Sequence, residues 1–98
     1  SIKKIITSAE NKHPMAVELL KEYGYLVGIV CSHLINTLNP DTILIGGHEL
    51  ARSKVLLKFI REKVKQTRLK LPSRAVHIKS ASLRENGGIL GAVALILE

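Results

Sequence analysis

The sequence predicts a single α/β domain in the order helix, helix, strand, helix, strand, helix, with its two strands parallel neighbours. Three observations lead there. An apolar pattern at helical spacing runs from Met15 to Leu38, a short β-branched run Thr42-Ile43-Leu44-Ile45 ends in Gly46-Gly47, and a second helical pattern separates that run from the alternating stretch Ala75 to Lys79. Two strands joined through a helix lie side by side and point the same way.

The elements follow in chain order. Ile2, Ile5 and Ile6 open on a short helical pattern that looks like the end of a longer helix, so the chain reads as a fragment. The polar stretch Ser8 to His13 closes it, and Pro14 suits the first turn of the next helix. In that helix Leu19, Tyr23, Leu26, Val30, Leu34 and Leu38 recur every three or four residues, with Leu20, Val27, Cys31 and Ile35 widening the stripe. Gly24 and Gly28 bend the helix or admit a close neighbour. Asn39-Pro40-Asp41 ends it, because proline disfavours helical geometry in the residue before it.

The run from Thr42 to Ile45 has the composition of a strand buried on both faces and is the expected sheet centre. Leu56, Leu57, Phe59, Ile60 and Val64 mark one face of a helix of about four turns, ended by Pro72-Ser73. Ala75 to Lys79 alternates and predicts a more exposed or edge strand. The nearly all-apolar stretch Ile89 to Leu97, entered through Asn86-Gly87-Gly88, predicts a final buried helix.

Composition narrows the function. In a 98-residue chain that is 46% apolar with only Tyr23, Tyr25 and Phe59 aromatic, the core is aliphatic. The lone Cys31 excludes an internal disulfide and reads as a small buried hydrophobe. No apolar run reaches the about 20 residues of a membrane span, so no membrane partner is expected and a reducing cytoplasm is the expected location. His13, His33, His48 and His77 lack metal-ligand spacing, and no metal site is expected. Nor is there a G-x-S-x-G elbow, an H-E-x-x-H pair or a G-x-x-x-x-G-K phosphate loop, so no catalytic residue is assigned.

Charge is uneven. Residues 1–51 hold four Lys and five acids, a net of −1, and residues 52–98 hold eleven Lys or Arg and three acids, a net of +8. Nine of the basic residues lie between Arg52 and Arg74. They form either the solvated face of an amphipathic helix or a surface for phosphates or an acidic partner. Phe59, the one aromatic in this stretch, falls with the apolar face rather than among the charges, so a stacking platform for single strands is not expected.

The candidate binding residues are Gly46, Gly47 and His48. A strand ending in glycines lets backbone amides approach a ligand, and ligands of parallel sheets bind beyond the carboxyl ends of the strands. The alternative is a turn that simply needs positive φ. Gly87-Gly88 offers a second pair of amides, for an anion or for close helix packing.

Tyr25-Leu26-Val27-Gly28 through Ile35-Asn36-Thr37-Leu38-Asn39-Pro40, then Thr42 to Gly47, then Glu85-Asn86-Gly87-Gly88-Ile89-Leu90-Gly91-Ala92 together resemble the C-terminal part of the ROK family of repressors and sugar kinases. The likeness covers about residues 14–97. It implies residues 1–98 as one C-terminal subdomain of a larger protein, part of the second lobe of an actin-like, ribonuclease-H-like ATPase fold. In kinases of the family the glycines after the strand border the nucleotide, a role that passes to Gly46 and Gly47. The catalytic Asp, the sugar contacts and the zinc motif of the family have no counterpart in these residues, so the chain itself carries no cofactor, and ATP with Mg belongs to a kinase parent. Arg84 stands where the family often has glycine before the Glu-Asn pair, and His48 where its kinases often have a third glycine after the strand. This tilts the resemblance toward the regulators, which sense a sugar and bind DNA through a winged helix outside this chain. A homo-oligomer is expected, because apolar helices parted from the rest of such a protein pair with one another.

Overall fold

The computed structural model describes residues 2–47, 50–67, 76–81 and 92–97. A short helix, α1 (Ile2–Glu10), turns back into the long helix α2 (Pro14–Leu38); β1 (Thr42–Gly46) and a single 3₁₀ turn (Leu50–Arg52) lead into α3 (Lys54–Thr67), followed by β2 (His77–Ser80) and β3 (Ala92–Ile96). The strands form one sheet in the order β2-β1-β3. Both neighbours run parallel to β1, with Thr42 opposite His77 on one side and Ala92 on the other.

Local chemistry sets each boundary. At the end of α1, Lys12 takes a left-handed φ of 63°. Its amide donates to Ala9 and that of His13 to Ser8, both at 2.9 Å, the paired bonds that stop a helix and turn the chain. Pro14 opens α2, where its missing N–H costs nothing. Asn39 closes α2 in a left-handed conformation, its amide reaching Ile35 O at 3.0 Å. Ser53 caps α3, accepting the Leu56 amide on Oγ at 3.1 Å.

The helices gather on the sheet face that carries Ile43, Ile45 and Ile78. On α2 the buried residues are Ala16, Leu20, Gly24, Val27, Gly28, Cys31, Ser32 and Ile35. This narrows the expected stripe to one side: Leu20, Val27, Cys31 and Ile35 are buried and Tyr23 and Leu34 are partly so, whereas Leu19, Leu26, Val30 and Leu38 are exposed. Spacing alone does not choose a face on a helix that is apolar all round, and here the glycines choose it. A Cβ on Gly24 would lie 2.8 Å from the Phe59 Cβ, and one on Gly28 would lie 2.6 Å from the Lys63 Cβ. Gly24 and Gly28 therefore form the notch in which α3 rests, and side chains in line with them are buried. The Ser32 and Thr67 hydroxyls hydrogen-bond across the same contact.

The central strand is buried along its whole length, as its composition predicts. β2 is an edge strand with an alternating pattern, tied to α3 by the Arg61 guanidinium, which donates to Ile78 O at 2.6 and 3.2 Å. The expected final helix is corrected. Residues 92–96 form β3, a strand whose Ala94 and Ile96 are exposed, so the element is neither helical nor wholly buried there. A uniformly apolar run carries no period to tell strand from helix. The deciding interaction is non-local: β1 has a second edge, and β3 supplies its hydrogen-bond partners in register from Thr42↔Ala92 to Gly46↔Ile96.

Candidate functional site

The carboxyl ends of the three strands converge around the glycine pair. The Ala81 amide donates to Ile45 O and the Leu97 amide to Gly46 O, each at 2.8 Å, so the last carbonyls of β1 are bonded to both neighbouring strands. Gly46 sits opposite Ile96, and a Cβ there would meet the Ile96 Cδ1 at 2.8 Å. Gly47 has a φ of +131°, and a Cβ on it would lie 2.4 Å from the Leu97 carbonyl oxygen. Both reasons for a glycine hold at Gly47: the backbone conformation excludes L side chains, and a neighbouring main chain fills the space. The turn needing positive φ, held open in the sequence, is thus present at Gly47.

His48, Arg84 and the Gly87-Gly88 pair lie outside the described residues. Of the three candidate binding residues, Gly46 and Gly47 are adjacent at the end of β1. Among the described residues, no three His, Cys, Asp or Glu side chains come together in a way that would hold a metal ion. Cys31 is fully buried, and burial pushes its thiol up to about 11. No helix among the described residues is long and apolar enough to cross a membrane.

Among the described residues of the basic stretch, Arg52, Lys54, Lys58, Arg61 and Lys65 are exposed, Arg61 also bonding β2, and Lys63 lies across α2; Arg68, Lys70 and Arg74 lie outside the described residues. The Lys63 ammonium stands 5.3 Å from the centre of the Tyr25 ring and that of Lys21 stands 5.6 Å from it. Tyr25 itself meets Phe59 edge to face, the ring centres 6.1 Å apart. Aromatic residues do stand among the lysines after all: Phe59 of the basic segment itself, with the Lys58 ammonium 5.8 Å from its ring centre, and Tyr25 contributed by α2. A sequence signal for Tyr25 exists: Gly24 and Gly28 flank it at the spacing that Phe59 and Lys63 keep on α3. A separate open hollow of about 200 Å³ lies between α1 and the start of α2, lined by Ile5, Met15, Ala16 and Leu19 with Lys4, Ser8 and His13.

Among the described residues, a parallel three-stranded sheet whose central strand ends in a glycine turn, with helices packed on it, defines a small α/β protein. The ROK family model matches residues 1–98, and the chain belongs to the ROK family. Among curated proteins it is 26% identical over 94 residues to a glucokinase of Halalkalibacterium halodurans, covering 96% of this chain and 28% of that protein. It is 25% identical over 93 residues to a putative xylose repressor of Caldicellulosiruptor sp. (95% and 23% covered). It is 24% identical over 98 residues to the xylose repressor of Bacillus spizizenii (100% and 26% covered). The chain thus spans about a quarter of the length of the curated relatives it matches. No solved structure matches it.

Proposed function

We propose that this chain is the C-terminal, sugar-sensing and dimer-forming part of a ROK-type transcriptional regulator, acting in the cytoplasm and built on an actin-like lobe. One observation carries the reading. The space a side chain would need at Gly47 is taken by the Leu97 carbonyl, so the glycine that would border a nucleotide in a kinase is already accounted for by packing of the chain against itself. The repressor names of two of the relatives above support it as well. In this account the sugar binds the intact protein, this piece closes on it from one side, and DNA is held by a winged helix outside these residues. Arg84 and His48, which stand in the sequence where relatives often have glycine, fit a protein that has no nucleotide to admit.

The second reading is an ATP-dependent sugar kinase, in which Gly46, Gly47 and His48 border ATP with its Mg. The glucokinase relative favours it, as does the position of the glycines at the carboxyl end of a parallel sheet. Reading the coding sequence ahead of residue 1 separates the two. A winged helix there supports the regulator, and an Asp-x-Gly-x-Thr phosphate hairpin with a catalytic Asp overturns it.

A further inference from the structure

The outer face of α3 carries charge of one sign. Lys54, Lys58, Arg61 and Lys65 follow one another at spacings of four, three and four residues, and all are exposed. At 100° per residue they fall within about 60° of each other, so they make one straight row about 17 Å long, opposite the buried Leu56 and Ile60. Glu62, at the margin of this face, is the single acid of the helix. Among the described residues, none of these cations has a carboxylate within ion-pair distance.

Such a row works against its own helix. Like charges three and four residues apart repel, and Lys54 stands in the first turn, at the positive end of the helix dipole. A face that serves only to be wet interleaves acids and bases. Covering the row with another part of the same protein is also unfavourable, because cations without carboxylates would lose their hydration. The row therefore suits an occupant that brings repeated negative charge and leaves water in the contact.

The remaining features choose among such occupants. No large apolar side chain of α3 is exposed, so the face lacks the anchors that membranes and protein partners use. Phe59, the ring beside the row, is buried and offers no platform to unstacked bases. What is left is a regular line of donors, two of them already held: the Lys58 ammonium lies 5.8 Å from the Phe59 ring centre, and Arg61 is fixed by Ile78 O. We propose that the outer face of α3 binds the phosphate backbone of duplex DNA through Lys54, Lys58, Arg61 and Lys65, without reading base sequence. The contact holds the protein on DNA in any register and leaves the choice of site to the winged helix of the proposed regulator. Its use thus rests on that reading, whereas its test, made on this chain without a winged helix, does not.

Fluorescence anisotropy of the 98-residue chain with labelled duplexes of unrelated sequence tests the proposal, with helical circular dichroism to show that each variant is folded. Four phosphate contacts predict that log affinity falls with log salt at a slope of about −3 to −4, equally for every duplex. Lys58→Gln is expected to flatten the slope by about one. Lys54→Gln, Lys58→Gln and Lys65→Gln together are expected to leave a slope of about −1 and to weaken binding at least tenfold at low salt. Lys3→Gln, which removes an exposed charge from α1, is expected to leave the slope unchanged. Absence of salt-dependent binding, a slope untouched by the triple change, or one flattened as much by Lys3→Gln as by Lys58→Gln would each overturn the proposal. So would tighter binding of single strands than of duplex, or stronger competition by oligoglutamate than by unlabelled duplex at equal charge, which would assign the row to an acidic protein. Duplex binding by this chain with no gene regulation by the intact protein would sink the regulator reading and leave the proposal standing.

Discussion

Replacing Gly47 with Ala asks why the glycine is there. The Cβ would arrive 2.4 Å from the Leu97 carbonyl oxygen at a φ of +131°. Holding a side-chain-bearing residue in such a region costs about 1–3 kcal/mol. Moving the Leu97 main chain back to an ordinary contact distance also stretches its 2.8 Å bond to Gly46 O, worth about 0.5–1.5 kcal/mol. Together they predict a loss of roughly 2–4 kcal/mol, a large part of the stability of a domain this small, and a fall in Tm of about 10 °C or more. Urea unfolding followed by circular dichroism, with Lys58→Ala as the control, measures it. Lys58 is exposed and its replacement is expected to stay within about 0.5 kcal/mol of wild type. A Gly47→Ala chain as stable as wild type would refute the packing account and return the glycine to a ligand.

Three further outcomes are expected. Gly28→Ala gains about 1 kcal/mol of helix propensity but drives a methyl to 2.6 Å from the Lys63 Cβ and 3.1 Å from Ile60 O, so a net loss of about 1–2 kcal/mol is expected in the same unfolding assay. Ser53→Ala removes the acceptor of the Leu56 amide at the start of α3 and is expected to cost about 1 kcal/mol, recovered for the most part by Ser53→Asp. The Cys31 thiol is held protonated by burial, with a folded pKa of about 11 against 9.0. Its contribution to stability is complete below pH 9 and is lost as pH rises through 11, a drop that Cys31→Ala abolishes when unfolding is followed across that range.

The parts of the fold legible in the sequence are those set by local chemistry. Pro14 and Asn39-Pro40 mark the ends of α2 because a missing amide and a left-handed cap are properties of single residues. The Thr42 to Ile45 run marks the sheet centre because it is apolar on both faces. The face of α2 was legible only in part: Leu20, Val27, Cys31 and Ile35 belonged to the expected stripe, but so did the exposed Leu19, Leu26, Val30 and Leu38, and the fit of Gly24 and Gly28 against Phe59 and Lys63 selects between them. The strand β3 was not legible: its alanines favour a helix but its backbone is claimed by the free edge of β1. At the candidate site, the glycine pair was legible as a strand end. Its crowding by Leu97 was not, because it depends on a strand fifty residues further along the chain.

In the function proposed above, the intact protein senses a sugar and regulates genes and does not phosphorylate the sugar. Gel-shift titration of the intact protein against DNA from upstream of neighbouring sugar-utilisation genes, with and without xylose or glucose, tests it most directly when the same preparation is assayed for ATP-dependent sugar phosphorylation. The account predicts a retarded complex that one sugar releases and no phosphorylated product. ATP-dependent phosphorylation without DNA retention would contradict it.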